Sequence, residues 1–408
     1  MSAVQTSKTL FQNFFMGGFE GSTHRTREGR RLDMIAATAH DKHAVADYTR
    51  LQQHGIYTAR DSIRWHLIER KPYSYDFSSV LPILHAARET GTEVIWDLCH
   101  YGWADDIDVF KPEFVRRFAH FARAFAELLV YEADAVPFIA PINEISFLSW
   151  ASGEVGYFHP LIHARGFELK AQLVRAAIEA TEAIWDIHPR ARIIHADPVI
   201  NIIADPLRAD EHAAAEGHRL AQYQAWDMLA GRMWPQLGGA EKYLDIIGLN
   251  YYPHNQWIHN SLPFNPSVAV SQSHPQYRPF SDILREVHER YNRPMFVAET
   301  GAESDARPNW LRYICGEVWV ALEAGLEVEG VCLYPILNHP GWDDERHCHN
   351  GMWDYPDETG EREIYEPLAR ELQHQYHSVK RARRRRVAGS NAGAATERHK
   401  ASPRMEIA

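Results

Sequence analysis

Two glutamates close short apolar runs in this chain: Glu144 ends VPFIAPINE and Glu299 ends PMFVAE. Other polar and aromatic residues sit at or just past the ends of similar runs. They are His24, Arg60, Asp61, Asp97, His100, Tyr101, Asn143, Asn250, Tyr252, Tyr334, His339 and Trp342. Two carboxylates with a guanidinium, amide and imidazole donors and flat rings are equipment for handling a carbohydrate. Aromatic faces stack on the apolar face of a pyranose, while imidazole, amide and carboxylate groups bond its hydroxyls. Cleaving a glycosidic bond needs one carboxylic acid to protonate the leaving oxygen. A second carboxylate must attack the anomeric carbon or activate water. Singly, each glutamate reads as a salt-bridged strand end; together, in this company, they read as a catalytic pair.

The elements that must position them alternate regularly. Short β-branched or aromatic runs fall at 14–19, 56–63, 93–100, 136–143, 191–198, 245–252, 294–300 and 330–336. Longer stretches between them, such as HAVADYTRLQQHG and PEFVRRFAHFARAFAELLV, repeat apolar residues at i, i+3, i+4 and i+7, the helical spacing. Gly55, Gly91 and Gly325 fall where those helices should stop. Eight strands, each followed by a helix, predict a (β/α)8 TIM barrel with the chemistry on the C-terminal strand ends. A doubly wound open sheet is disfavoured, because GGFEGS after the first run opens no helix and forms no phosphate-cradling turn. The expected organisation is an N-terminal extension over 1–13, one catalytic barrel over 14–377, and a tail over 378–408. In the barrel, strands four and seven bring Glu144 and Glu299 to one mouth, although 155 positions separate them.

Composition narrows the function classes. The net charge is −11, yet the segment from Ser378 onward holds nine Lys or Arg against two Glu, so the rest is more acidic still. An acidic body repels nucleic acid and anionic membranes, and neither is expected as a partner. The tail, opening with KRARRRR and poor in large apolar residues, is expected to be disordered and solubilising. Cys99, Cys315, Cys332 and Cys348 form no CxxC pair and no framework spacing, which suits a reducing cytoplasm. No secretory signal and no membrane-length apolar run is expected. His347 and His349 flank Cys348 with no partner cluster in view to complete a tetrahedral set, so no metal and no cofactor is expected.

Four stretches make a more specific resemblance. PINEIS is similar to the T-x-N-E-P acid/base motif of glycoside hydrolase family 1, a family of retaining β-glycosidase barrels in clan A. FVAETG is similar to its nucleophile motif [VI]-T-E-N-G, LDIIGLNYY to D-F-x-G-x-N-Y-Y, and ARDSIRW to Y-R-F-S-I-S-W. The resemblance covers roughly 14–372, with the four motifs in order, each at the expected strand end. It implies a β-glucosidase-like hydrolase acting by double displacement, with glycosyl transfer to an acceptor available to the same machinery. Glu299 would be the nucleophile, with Arg60 and Tyr252 donating hydrogen bonds that favour its charged form. Glu144 would be the acid/base, its pKa raised by desolvation and by the second carboxylate. Asn143 would donate to the sugar 2-hydroxyl and His100 to another ring hydroxyl. Tyr101, His24, Tyr334 and Trp342 complete the expected substrate-binding set.

The chain departs from that family in the positions that read the sugar. His24 falls where the family usually has a Gln, and YPILNHPGW stands for W-S-L-x-D-N-x-E-W. Tyr334 thus replaces a Trp platform and Gly341 a Glu, with Asp343, Asp344 and Glu345 as candidate substitutes. Tyr334–Pro335 is a candidate cis peptide, since X-Pro lowers the cost of that geometry. The altered positions keep a second reading open, a catalytically silent carbohydrate-binding barrel.

Overall fold

All eight apolar runs form strands in the computed structural model, which describes residues 9–132, 135–205, 207–260 and 268–378. The expected basic tail beyond Ser378 and the first eight positions lie outside the described residues. The strands are β1 (Phe15–Gly18), β2 (Thr58–Ser62), β3 (Glu93–Cys99), β4 (Phe138–Ile142), β5 (Arg192–Pro198), β6 (Ile246–Asn250), β7 (Met295–Thr300) and β8 (Val328–Leu333). Every neighbouring pair is parallel, and β8 pairs with β1 to close the ring, which makes the fold the expected (β/α)8 barrel. Helices cover the outside, among them α1 (His40–Gln53), α2 (Leu81–Thr90), α3 (Pro112–Glu132), α4 (Gly166–Ile187), α5 (Phe280–Tyr291) and α6 (Arg307–Glu323). Past β8 the chain makes two small hairpins, β9 (His339–Pro340) with β10 (His347–Cys348) and β11 (Trp353–Pro356) with β12 (Arg362–Ile364).

Strand alternation splits the apolar residues into two cores. Met16, Ile95, Phe138, Ala140, Ile194, Ala196, Ile246, Phe296, Ala298 and Cys332 point into the barrel. The alternate residues, such as Trp96, Leu98, Ile139, Ile193 and Val297, pack outward beneath the helices. Phe11, in the segment ahead of β1, plugs the base of the barrel with its ring 4.9 Å from Phe138 and 5.0 Å from Phe296. The base is therefore filled by side chains, and a large cavity opens at the opposite, C-terminal end. Among the described residues no helix is long and apolar enough to cross a membrane.

Candidate active site

On β2 the alternation sends Arg60 into the barrel and Asp61 outward. Arg60 is fully buried, and its guanidinium has its partners already in place. Nη1 donates to Glu299 Oε1 at 2.8 Å, Nη2 to Asn143 Oδ1 at 2.6 Å, and Nε to Asp97 Oδ1 at 3.1 Å. The hydroxyl of Tyr252 donates to Glu299 Oε2 at 2.9 Å, so each oxygen of that carboxylate accepts from a fixed donor. Ordinary alternation after Phe296 and Ala298 would turn Glu299 away from the interior. A register shift prevents this: Val297 pairs with Leu249 and Glu299 with Asn250, two steps on β7 against one on β6. Such an irregularity re-aims a side chain at a barrel rim.

Glu144 follows β4 in the left-handed region (φ 49°, ψ 59°), at the start of the short helix Ile145–Ser149. For a non-glycine residue that conformation is strained, and strain of this kind gathers at functional sites. Asn250 Nδ2 donates to Glu144 Oε1 at 2.8 Å and the Tyr101 hydroxyl to Oε2. Burial, then the nearby Glu299 charge, push the Glu144 carboxyl well above the usual range, against those two donors. The two glutamates thus differ in setting, one held by a guanidinium and the other biased toward keeping its proton.

Asn143 and His100 complete the buried floor. His100 Nδ1 lies 3.2 Å from Asp97 Oδ2, and its Nε2 lies 3.2 Å from Asn143 Nδ2. Burial opposes charge on His100, but Asp97 and Glu20 outweigh it and raise its pKa. Asp97 therefore orients Arg60 and His100 together. The ring of Tyr334 lies parallel to that of His100, 5.9 Å away, and the Arg60 guanidinium sits 5.4 Å from the Tyr334 ring centre. A Cβ on Gly18 would fall 2.1 Å from that tyrosine ring, so the glycine makes the room it occupies. Tyr334–Pro335 is cis, as expected.

These groups face a cavity of about 1060 Å³. Its buried end is lined by Glu20, His100, Tyr101, Glu144, Tyr252, Glu299, Tyr334, His339 and Asn350, with Trp342 on one wall. Its half-exposed end is lined largely by apolar and aromatic side chains, Phe147, Trp150, Phe167, Ile200 and Trp257, beside Lys170 and His218.

Several expected residues fall elsewhere. His24 does not line the cavity. It is buried in an aromatic cluster, 4.2 Å from the Phe158 ring and 4.7 Å from Trp342, and burial drives its pKa down to about 3. Past β1 it is Glu20, a residue outside the expected set, that lines the cavity. Glu20 Oε1 accepts from the Ser22 amide at 3.1 Å; burial works against its charge, while His100 and His339 draw its pKa below the usual value. Its place immediately after the first apolar run was the signal that could have found it. The acidic loop does not supply the carboxylate missing at Gly341. Asp343 accepts from the Tyr157 hydroxyl at 2.6 Å, Glu345 pairs with Arg30 at 3.1 Å, and Asp344 is exposed. Trp353 is buried in the outer core, its ring 5.4 Å from His54. The apolar end was also missed, because it comes from helix starts and from a small side sheet outside the barrel.

No protein-family model and no curated protein sequence matches the chain. Solved structures do resemble it in fold. A family 1 β-glucosidase from Thermotoga maritima superposes with a TM-score of 0.73 at 16% identity, over 90% of this chain and 98% of that one. The Thermotoga maritima β-glucosidase in complex with glucoimidazole gives 0.72 at 17% identity, over 92% and 99%. The complex with deoxynojirimycin gives 0.71 at 17%, over 90% and 98%.

Proposed function

We propose that the protein is a retaining β-glycosidase of the family 1 type, carried by a single catalytic domain over 14–377, working in the cytoplasm by chemistry that uses no metal or cofactor. What carries this reading is one observation: Glu144 and Glu299 face the same cavity in opposite electrostatic settings, the first biased toward its acid form by burial and by the second. The likeness in fold to β-glucosidases in complex with glucoimidazole and with deoxynojirimycin agrees with it.

In the first step Glu299 attacks the anomeric carbon while the glycosidic C–O bond breaks and Glu144 gives its proton to the departing oxygen. The sugar is left as an ester on Glu299. In the second step Glu144, now a carboxylate, takes a proton from water; that water attacks the same carbon and Glu299 departs. An acceptor alcohol in place of water gives transglycosylation. Arg60 and Tyr252 hold the nucleophile in position. Asn143, its amide orientation fixed by Arg60, donates to the 2-hydroxyl, a contact that strengthens in the transition state. His100, Tyr101, Tyr334 and Trp342 shape the sugar subsite. His24 supports Trp342 from behind.

Incubation with a panel of activated 2-deoxy-2-fluoro glycosides, of gluco, galacto, manno and xylo configuration, followed by intact mass and peptide mapping, tests the proposal. We expect one sugar adduct per chain, at Glu299, from at least one configuration. Binding of a sugar without any adduct across the panel would leave the silent barrel as the better reading.

A further inference from the structure

Outside the cavity, the hairpin past β8 gathers a second set of functional side chains. His347 and His349 lie two positions apart on and just after β10, so they project to one side while Cys348 between them is buried on the other. Their rings stack with centres 4.2 Å apart. The third member comes from β11, where Asp354 Oδ1 lies 2.6 Å from His347 Nε2. One ring nitrogen from each histidine and one carboxylate oxygen all lie within 4.8 Å of one another. The sequence spacing showed only the two histidines; the fold of the chain between 349 and 354 delivers the carboxylate.

We propose that His347, His349 and Asp354 form a site for a divalent cation of the zinc class, with solvent water completing the coordination. Two imidazoles and one carboxylate are a donor set for zinc or its borderline neighbours, whereas magnesium and calcium require oxygen ligands throughout. Donor atoms around a tetrahedral zinc at about 2.0–2.2 Å lie roughly 3.3–3.6 Å apart, so small rotations of the two exposed histidines toward Asp354 close the set. Binding replaces the present His347–Asp354 hydrogen bond, and the displaced proton passes to solvent. Asp354 is held for the role from behind. The Tyr355 amide donates to its Oδ1 at 2.7 Å.

The site fastens a loop that reaches the cavity. His339 pairs with Cys348 across the β9–β10 hairpin. His339 and Asn350, bonded to each other at 2.9 Å, both line the cavity wall. The His349 carbonyl accepts from the Ser304 amide at 2.7 Å, which ties the hairpin to the loop leaving β7. A cation here acts as a clip on that wall.

The test uses the full chain, stripped with a chelator and titrated calorimetrically with zinc chloride, with magnesium chloride as a second titrant. We expect one saturable zinc site per chain at micromolar affinity or better, no magnesium heat, and a rise in melting temperature with zinc. His349→Ala and Asp354→Asn should each weaken zinc binding at least tenfold and abolish the rise, and cobalt(II) should give visible absorption bands lost in both variants. Melts without metal check that the variants fold. Absence of a one-to-one zinc site, or zinc binding unchanged in both folded variants, overturns the proposal. Neither result depends on glycosidase activity.

Discussion

Arg60 and Asp61 are adjacent in the chain, and each is the hub of a buried ionic network, but only one of the networks faces open space. Outward from β2, Asp61 Oδ2 accepts from the Tyr48 hydroxyl at 2.8 Å and lies 2.9 Å from His40 Nε2. His40 Nδ1 lies 2.8 Å from Asp47 Oδ2, and Asp47 in turn takes hydrogen bonds from Arg50 and Arg362. The ring of Phe19 closes over His40 at 3.7 Å. This outer network joins β2, α1 and β12, and lines no part of the large cavity. Inward, Arg60 holds Glu299, Asn143 and Asp97, and its partners line the floor of that cavity. Buried charge therefore does not by itself mark a functional site. What distinguishes the inner network is that its carboxylates and imidazole face a space large enough for a substrate.

Substitutions on the two sides should separate cleanly. Glu144→Gln is expected to slow cleavage of substrates with poor leaving groups by about 10²–10⁴-fold while largely sparing activated ones, with little change in melting temperature. Equal losses on both substrate types, measured as kcat/KM, would contradict its role as acid. Asp61→Asn should do the reverse. It removes one of the two buried carboxylates that flank His40 and should cost about 3–5 kcal/mol in urea unfolding, with kcat of the folded protein within a few-fold of the parent. A large catalytic loss with unchanged stability would show that the outer network also serves catalysis.

A smaller effect follows from pH. Burial opposes protonation of His40, but Asp61 and Asp47 overcome it and raise its pKa to about 9. A raised histidine contributes stability fully below its unfolded value, about 6.5, and loses it as pH climbs through the folded value. Unfolding free energy should thus decline between about pH 6.5 and 9, by on the order of 1–3 kcal/mol, and the decline should be reduced in Asp61→Asn. An unchanged slope in that variant would place the titration elsewhere.

Much of this molecule was legible beforehand. The eight strand positions follow from apolar runs that are buried on both sides, a pattern that depends only on local composition. Glu144, Asn143 and Tyr252 were reachable because each falls at or just past a strand end, and strand ends in this architecture share one rim; Arg60, inside β2, was reachable through the ARDSIRW motif. Positions that depend on loops were not legible in this way. Past β1 the chain puts Glu20 at the cavity and folds His24 behind it. The acidic stretch past Gly341 turns to solvent, and the aromatic end of the cavity is assembled from segments that no strand pattern marks.

The amino-acid order alone set the strand and helix periods, the ring they must close into, and the residue types offered to its mouth, since these rest on side-chain spacing and burial within short windows. Tertiary structure alone decided which of those residues meet. Alternation would have faced Glu299 toward the helices, and it is the mismatch between β6 and β7 that turns it inward. Likewise, only the hairpin fold past β8 carries Asp354 to His347 and His349. Each outcome is set by pairing between distant segments, whose geometry no local window contains.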